Sequence, residues 1–329
     1  MRRQRVGGPV ALVVAILLSV VGAFAAEGGA DGRSVLRSGR LSFSLEVEGE
    51  VCPYDVLGIY VMPGESVRVR VLGDHGSDGF DVSAGDGLLE RISELAWSWT
   101  APRDPGLRTL SVYRRSTGES ARLNVFVMVP ATNLRGGVLN GYRIGDYPAK
   151  PWKGLPLYNP PKGFIEVTEE NVSTPVSPHF TIGQFLCKQD GGYPKYLVLR
   201  ERLVLKLELI LDHVNDAGFR CGSFVIMSGY RTPSYNRAIG NVKYSRHLWG
   251  GAADIFIDEQ PRDGVMDDLD GDGKTDLGDA AVLYELIDDL YGRPFYERFL
   301  GGLGRYRRTR SHDPFVHVDV RGFRARWGD

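Results

Sequence analysis

Ser245-Arg246-His247-Leu248-Trp249-Gly250-Gly251-Ala252-Ala253-Asp254 is the stretch on which the fold turns. Two glycines allow a sharp turn after His247. Residues 252–257 then read as an apolar strand carrying Asp254. A second strand is expected over residues 315–320, within Ser311-His312-Asp313-Pro314-Phe315-Val316-His317-Val318-Asp319-Val320. Strand alternation puts Asp254 on one face with Ala252 and Phe256, and His317 on one face with Phe315 and Asp319. Two imidazoles and a carboxylate, His247, His317 and Asp254, suit Zn²⁺, and a catalytic zinc keeps three protein ligands plus a water. Ligands fixed on neighbouring strands form a preorganised site.

Working outward, residues 196–217 place leucines and charges in a helical pattern that stops at Gly218. Residues 223–228 read as a strand and 280–290 as a helix. Helices mixed with separated strands predict an α+β domain over 181–329. Upstream, residues 41–47, 56–61, 66–72, 79–83, 95–99, 109–113 and 123–129 read as short strands, with Pro63-Gly64, Asp86-Gly87 and Pro105-Gly106 as turn signals. This pattern over 40–130 predicts an immunoglobulin-like β-sandwich with a spacing or binding role. It holds a single histidine, His75, and no Cys–Trp–Cys framework. Residues 131–180, rich in proline and glycine, read as an extended connector; Tyr142, Tyr147, Trp152 and Tyr158 argue that it lies against a neighbouring domain.

The chain has 329 residues, enough for more than one domain, and its 43% apolar and 25% charged composition excludes a disordered or polytopic membrane protein. With 40 Lys and Arg against 41 Asp and Glu, net charge gives no argument for nucleic acid. The charge is unevenly placed. Residues 254–289 hold thirteen acids and two bases, whereas 305–326 hold seven arginines and two acids. At the start, three arginines within residues 1–5, an apolar run over 10–21 and Ala23-Phe24-Ala25 have the order of a secretory signal peptide, 1–25. The alternative is an uncleaved membrane anchor. Both place residues 26–329 outside the cytoplasm, periplasmic or extracellular. Cys187 and Cys221 could then pair, but three buried thiols, Cys52 included, are the preferred reading.

A second metal signal spans 268–279. Asp268, Asp270, Asp272, Asp276 and Asp279 fall at calcium-loop positions 1, 3, 5, 9 and 12, with Gly273 at 6 and the Lys274 carbonyl at 7. With Asp rather than Glu at the twelfth position, the stretch resembles a dockerin-type loop more than a sensor EF-hand. The expectation is a structural Ca²⁺, set against a solvated acidic turn.

The pattern Ser-x-His-x-x-Gly-x-Ala-x-Asp at 245–254, with His317 on a distant strand, resembles the zinc D-Ala-D-Ala carboxypeptidase family, which includes murein endopeptidases. Ser228-Gly229-Tyr230-Arg231 is similar to its upstream motif, and 315–322 with Trp327 to the ending of one branch. The resemblance covers about 180–329. It implies a zinc peptidase fold with ligands His247, Asp254 and His317, and with Arg231 holding a substrate carboxylate or the developing oxyanion. An arginine suits either role, since its charged fork binds two oxygens. Relatives commonly place the general base three residues before the last histidine, where this chain has Pro314. Asp313 and His312 are equal candidates, with Asp319 behind them as a base or as a carboxylate orienting an imidazole. The implied function is an exported zinc peptidase cutting peptidoglycan peptides, as carboxypeptidase or endopeptidase. The alternatives are a wall-binding scaffold with a degenerate peptidase domain, and a zinc peptidase acting on proteins.

Overall fold

The computed structural model describes residues 39–73 and 78–328. Segment 1–25 and His75 lie outside the described residues. Nine strands come first: β1 (Arg40–Val47), β2 (Glu50–Tyr54), β3 (Val56–Val61), β4 (Ser66–Leu72), β5 (Phe80–Ala84), β6 (Leu88–Ser93), β7 (Ala96–Thr100), β8 (Gly106–Arg114) and β9 (Ser120–Val127). They form two sheets, ordered β2-β1-β4-β7-β6 and β3-β9-β8-β5. Alternate apolar side chains of both, among them Leu45, Val69 and Trp99 from one and Leu57, Val112 and Leu123 from the other, belong to one buried cluster. Two strands absent from the sequence expectation, β2 and β6, are both sheet edges. β2 carries Pro53, which an edge tolerates because one side of the strand needs no donor. β6 is largely exposed, so it shows no apolar alternation.

Residues 129–197 contribute β10 (Val129–Pro130), the small hairpin of β11 (Val138–Leu139) and β12 (Tyr142–Arg143), then β13 (Gly163–Val167) and β14 (Lys195–Leu197). β13 pairs antiparallel with both β10 and β14. The helix expected from 196 therefore begins later, as α1 (Glu201–Asp216), because Lys195–Leu197 is engaged in the sheet. Gly218, at φ 102°, follows its last turn, a conformation that favours glycine. The remaining elements are β15 (Val225–Ser228), α2 (Pro233–Ala238), β16 (Ala252–Phe256), α3 (Leu277–Asp288), β17 (Gly302–Tyr306), β18 (Phe315–Asp319) and β19 (Ala325–Gly328). Their sheet runs β15-β16-β18-β17-β19. The chain is thus mostly β-sheet with few helices. Cys52, Cys187 and Cys221 are buried and free, so Cys187 and Cys221 are not bonded. No described helix is long and apolar enough to cross a membrane.

Helix α1 is apolar around much of its circumference and meets both halves of the chain. Asp212 accepts from Tyr54 Oη at 3.0 Å and pairs with Arg40. Tyr60 donates its backbone N–H to Glu201 at 3.2 Å. On another side Lys206 is fully buried, with Nζ donating to the carbonyls of Asp319 at 2.8 Å and Phe299 at 3.0 Å. Burial without a carboxylate partner pushes this amine down to about 7. From about 7 to the ordinary lysine value near 10.4, the folded chain holds the amine neutral while the unfolded chain binds the proton. The Lys206 contribution therefore rises with pH across that window. Thermal melts between pH 7 and 10 should show the wild type gaining stability relative to Lys206→Met; parallel curves would refute a depressed lysine.

Candidate metal centre

The sheet register builds the site. Asp254 on β16 stands directly opposite His317 on β18. Ser228 on β15 flanks Asp254, and Gly304 on β17 flanks His317 with Trp327 of β19 beyond it. His247 arrives from the 3₁₀ turn Arg246–Trp249, which Gly250 ends at φ 61°. A Cβ at Gly250 would sit 2.1 Å from the Val198 carbonyl oxygen, so the turn can press against the segment before α1 only without a side chain there. The chain then enters β16 at once.

His247, Asp254 and His317 are all buried, and one donor atom from each lies within 4.8 Å of the others. His247 Nε2 is 3.3 Å from both His317 Nδ1 and Asp254 Oδ1, and His317 Nδ1 is 2.7 Å from that oxygen. The outward nitrogens are also held. His247 Nδ1 meets the Gly229 carbonyl at 2.7 Å, which makes it the protonated nitrogen and leaves the Nε2 lone pair facing inward. His317 Nε2 meets Asp319 Oδ2 at 3.3 Å. Nitrogen, nitrogen and oxygen donors converging on one point, each imidazole braced from behind, fit zinc.

Electrostatics follow from this crowding. Burial pushes His247 below the usual imidazole range, and Asp254 only partly offsets it. Burial disfavours charge on Asp254 too, yet the two imidazoles hold its carboxyl well below the usual range. His317 is raised despite burial because it bonds both Asp254 and Asp319. Asp319 is held far below the carboxylate range: burial opposes this, but bonds from His317 and Arg321 outweigh it. Asp319 also accepts from the Gly302 backbone at 2.8 Å and from Arg321 Nε at 2.9 Å. So anchored, it sits as a brace for His317 rather than as a mobile proton carrier.

Arg231 follows Gly229 and Tyr230, and Thr232 caps α2 by accepting from the Tyr235 backbone at 3.0 Å. The Arg231 fork is committed to the protein: Nε donates to Ser228 Oγ at 2.8 Å and Nη2 to Asp254 Oδ2. Ser228 and Asp254 thus hold the guanidinium in place, and Nη1 makes no hydrogen bond among the described residues. The two base candidates separate. His312 lines a cleft of about 980 Å³ over the centre, beside Tyr306 and Arg231. Asp313 is not among its lining residues and accepts from Arg308 at 2.7 Å. Sequence reasoning missed Tyr306, which stacks on Phe315 and accepts from Trp327 Nε1 at 2.6 Å. It also missed the Gly229 carbonyl, since a backbone ligand leaves no trace in residue type.

The acidic loop keeps part of its template together. Asp268, Asp270 and Asp279 converge. Asp272 instead pairs with Lys274 at 3.0 Å, and Asp276 caps α3 by accepting from the Gly278 backbone at 2.7 Å. Three of the five carboxylates expected from spacing therefore converge, while Asp272 and Asp276 make other bonds. The polar backbone of the tight turn and the lysine claim the other two.

With this geometry established, residues 179–281 match the protein-family model described as Peptidase M15. That segment contains Arg231, His247 and Asp254, and the match supports a likeness of this part of the chain to the M15 zinc D-Ala-D-Ala carboxypeptidase-like family. M15 peptidases are zinc-dependent, and the His/Asp/His group supplies matching donors. A search of curated proteins found no match. His247→Ala should abolish zinc binding while the N-terminal sheets stay folded, and Asp319→Asn should weaken zinc about 10–100-fold. Metal analysis and competition with a chelating dye measure both; full zinc occupancy in His247→Ala refutes the assignment.

Proposed function

We propose that the chain is an exported zinc metallopeptidase that hydrolyses peptidoglycan stem peptides or their cross-links. The observation that carries this reading is the convergent His247/Asp254/His317 set lining a cleft, with His247 and Asp254 inside the segment that matches Peptidase M15. When bound, zinc polarises a peptide carbonyl and makes water acidic enough to lose a proton near neutral pH. Gly229 and Asp319 keep the two imidazoles oriented. Arg231 holds the second oxygen of Asp254 and offers Nη1 to a substrate carboxylate or to the developing oxyanion. His312, in the cleft, takes the proton from water and returns it to the leaving amine. The N-terminal pair of sheets, read as an immunoglobulin-like module, acts as a spacer or wall-binding element.

Mass spectrometry of purified peptidoglycan before and after incubation with residues 26–329 should show shortened or uncrosslinked stems. Intact murein with zinc-loaded protein favours the wall-binding scaffold, and cleavage of casein but not murein favours a protein substrate. Within the peptidase reading, His312→Ala should lower kcat about 10²–10⁴-fold with zinc retained, and Asp313→Ala should have little effect. The reverse order would exchange their roles.

For calcium, support is limited to the loop spacing and the convergence of Asp268, Asp270 and Asp279. If the loop binds it, calcium added to chelated and zinc-reloaded protein raises the melting temperature, by about 2.7 kcal/mol of stabilisation at a hundredfold excess over Kd. An unchanged melting temperature at millimolar calcium returns the loop to a solvated acidic turn.

A further inference from the structure

Arg246, immediately before the metal-binding candidate His247, is 2% exposed and has no carboxylate partner. Its Nη1 donates to the Leu157 carbonyl at 3.3 Å, while Nε and Nη2 are buried and unpaired. The guanidinium stacks 4.9 Å over the Tyr158 ring. Gly251 leaves room for it, since a Cβ there would come within 2.8 Å of Nη2. Nearby Arg200 adds a second cation held only by backbone carbonyls, of Trp249 at 3.1 Å and Leu157 at 3.3 Å. Arg321 is the third cation of the group, and it binds Asp319, whose carboxylate also meets His317. The Asp319 carboxylate is thus already engaged by His317, Arg321 and the Gly302 backbone, and it makes no hydrogen bond to Arg246.

A buried cation with unpaired N–H groups is unfavourable unless something supplies the missing acceptor. Arg246, Arg321 and Tyr158 all line the cleft over the metal centre. We infer that the Asp319 side of this cleft is an anion subsite, built on Arg246 with Arg321 and the Tyr158 hydroxyl, that takes a substrate carboxylate. It is separate from Arg231, which stands on the Asp254 side. The inference rests on the reading of the cleft as a peptide site and deepens it. The favoured substrate is a stem peptide whose residue near the scissile bond carries its own carboxylate, as a diamino dicarboxylic acid does and lysine does not.

The test uses the zinc-loaded full chain and two synthetic stem pentapeptides. They differ only in whether the side-chain carboxylate of meso-diaminopimelate is free or amidated. Calorimetric binding and kcat/KM are measured for both. The free acid should be favoured about ten- to a hundredfold, the range a charge-assisted hydrogen bond supplies. Arg246→Met should bring the ratio close to one. Tyr158→Phe, which keeps the ring and removes only the hydroxyl, should lower the ratio several-fold and serves if Arg246→Met does not fold. Equal handling of the two peptides by the wild type overturns the subsite, as does an undiminished preference in a folded, zinc-bearing Arg246→Met. A binding preference without cleavage of either peptide leaves the subsite standing and removes the peptidase reading. Equal cleavage of both does the opposite, and neither binding nor cleavage removes both.

Discussion

The direct opposition of Asp254 and His317 across β16 and β18 is the constraint from which the rest of the site follows. Antiparallel pairing fixes which residues face each other, and a slip of one position would turn one of the two donors to the far side of the sheet. The row extends across all five strands as Ser228, Asp254, His317, Gly304 and Trp327. Each member has a local reason. Ser228 steadies Arg231, which steadies Asp254. Gly304 has no side chain, and a Cβ there would come within 2.4 Å of Trp327. That gap lets the indole lie 5.2 Å from the His317 ring and cover it.

The neighbouring row supplies the brace. Ala252 pairs with Asp319, and its small side chain leaves the carboxylate to Arg321, Gly302 and His317. The donors are therefore prearranged by backbone register and by carboxylate–imidazole contacts. Prearrangement of this kind lowers the cost of organising the site when a metal arrives.

Much of this was legible in the sequence, and the reasons differ by element. The His247–Asp254 stretch was readable because two glycines and a strand leave few ways to fold, and alternation alone placed Asp254 and His317 on usable faces. Edge strands β2 and β6 were hidden, one by Pro53 and one by exposure. The start of α1 was misplaced because Lys195–Leu197 continues the apolar pattern while pairing with β13. Spacing named His312 and Asp313 equally. Only the tertiary path of the loop, with Arg308 drawing Asp313 away, separates them. Arg231 was recognisable as a site residue, but its engagement with Asp254 depends on a pairing 23 residues apart in sequence. Lys206 looked like one charge among many on a helix, and nothing local marks it as buried.

The placement of α1 has a consequence for modularity. Its Asp212 and Glu201 are held by the N-terminal strands, while Lys206 reaches through to the carbonyl of Asp319. The helix is thus a party wall between two rooms. Cutting the chain ahead of it would leave acidic side chains without partners and bare the apolar cluster that both halves share. The C-terminal half therefore has no finished rear surface of its own, and shuffling it onto another partner would require rebuilding that wall.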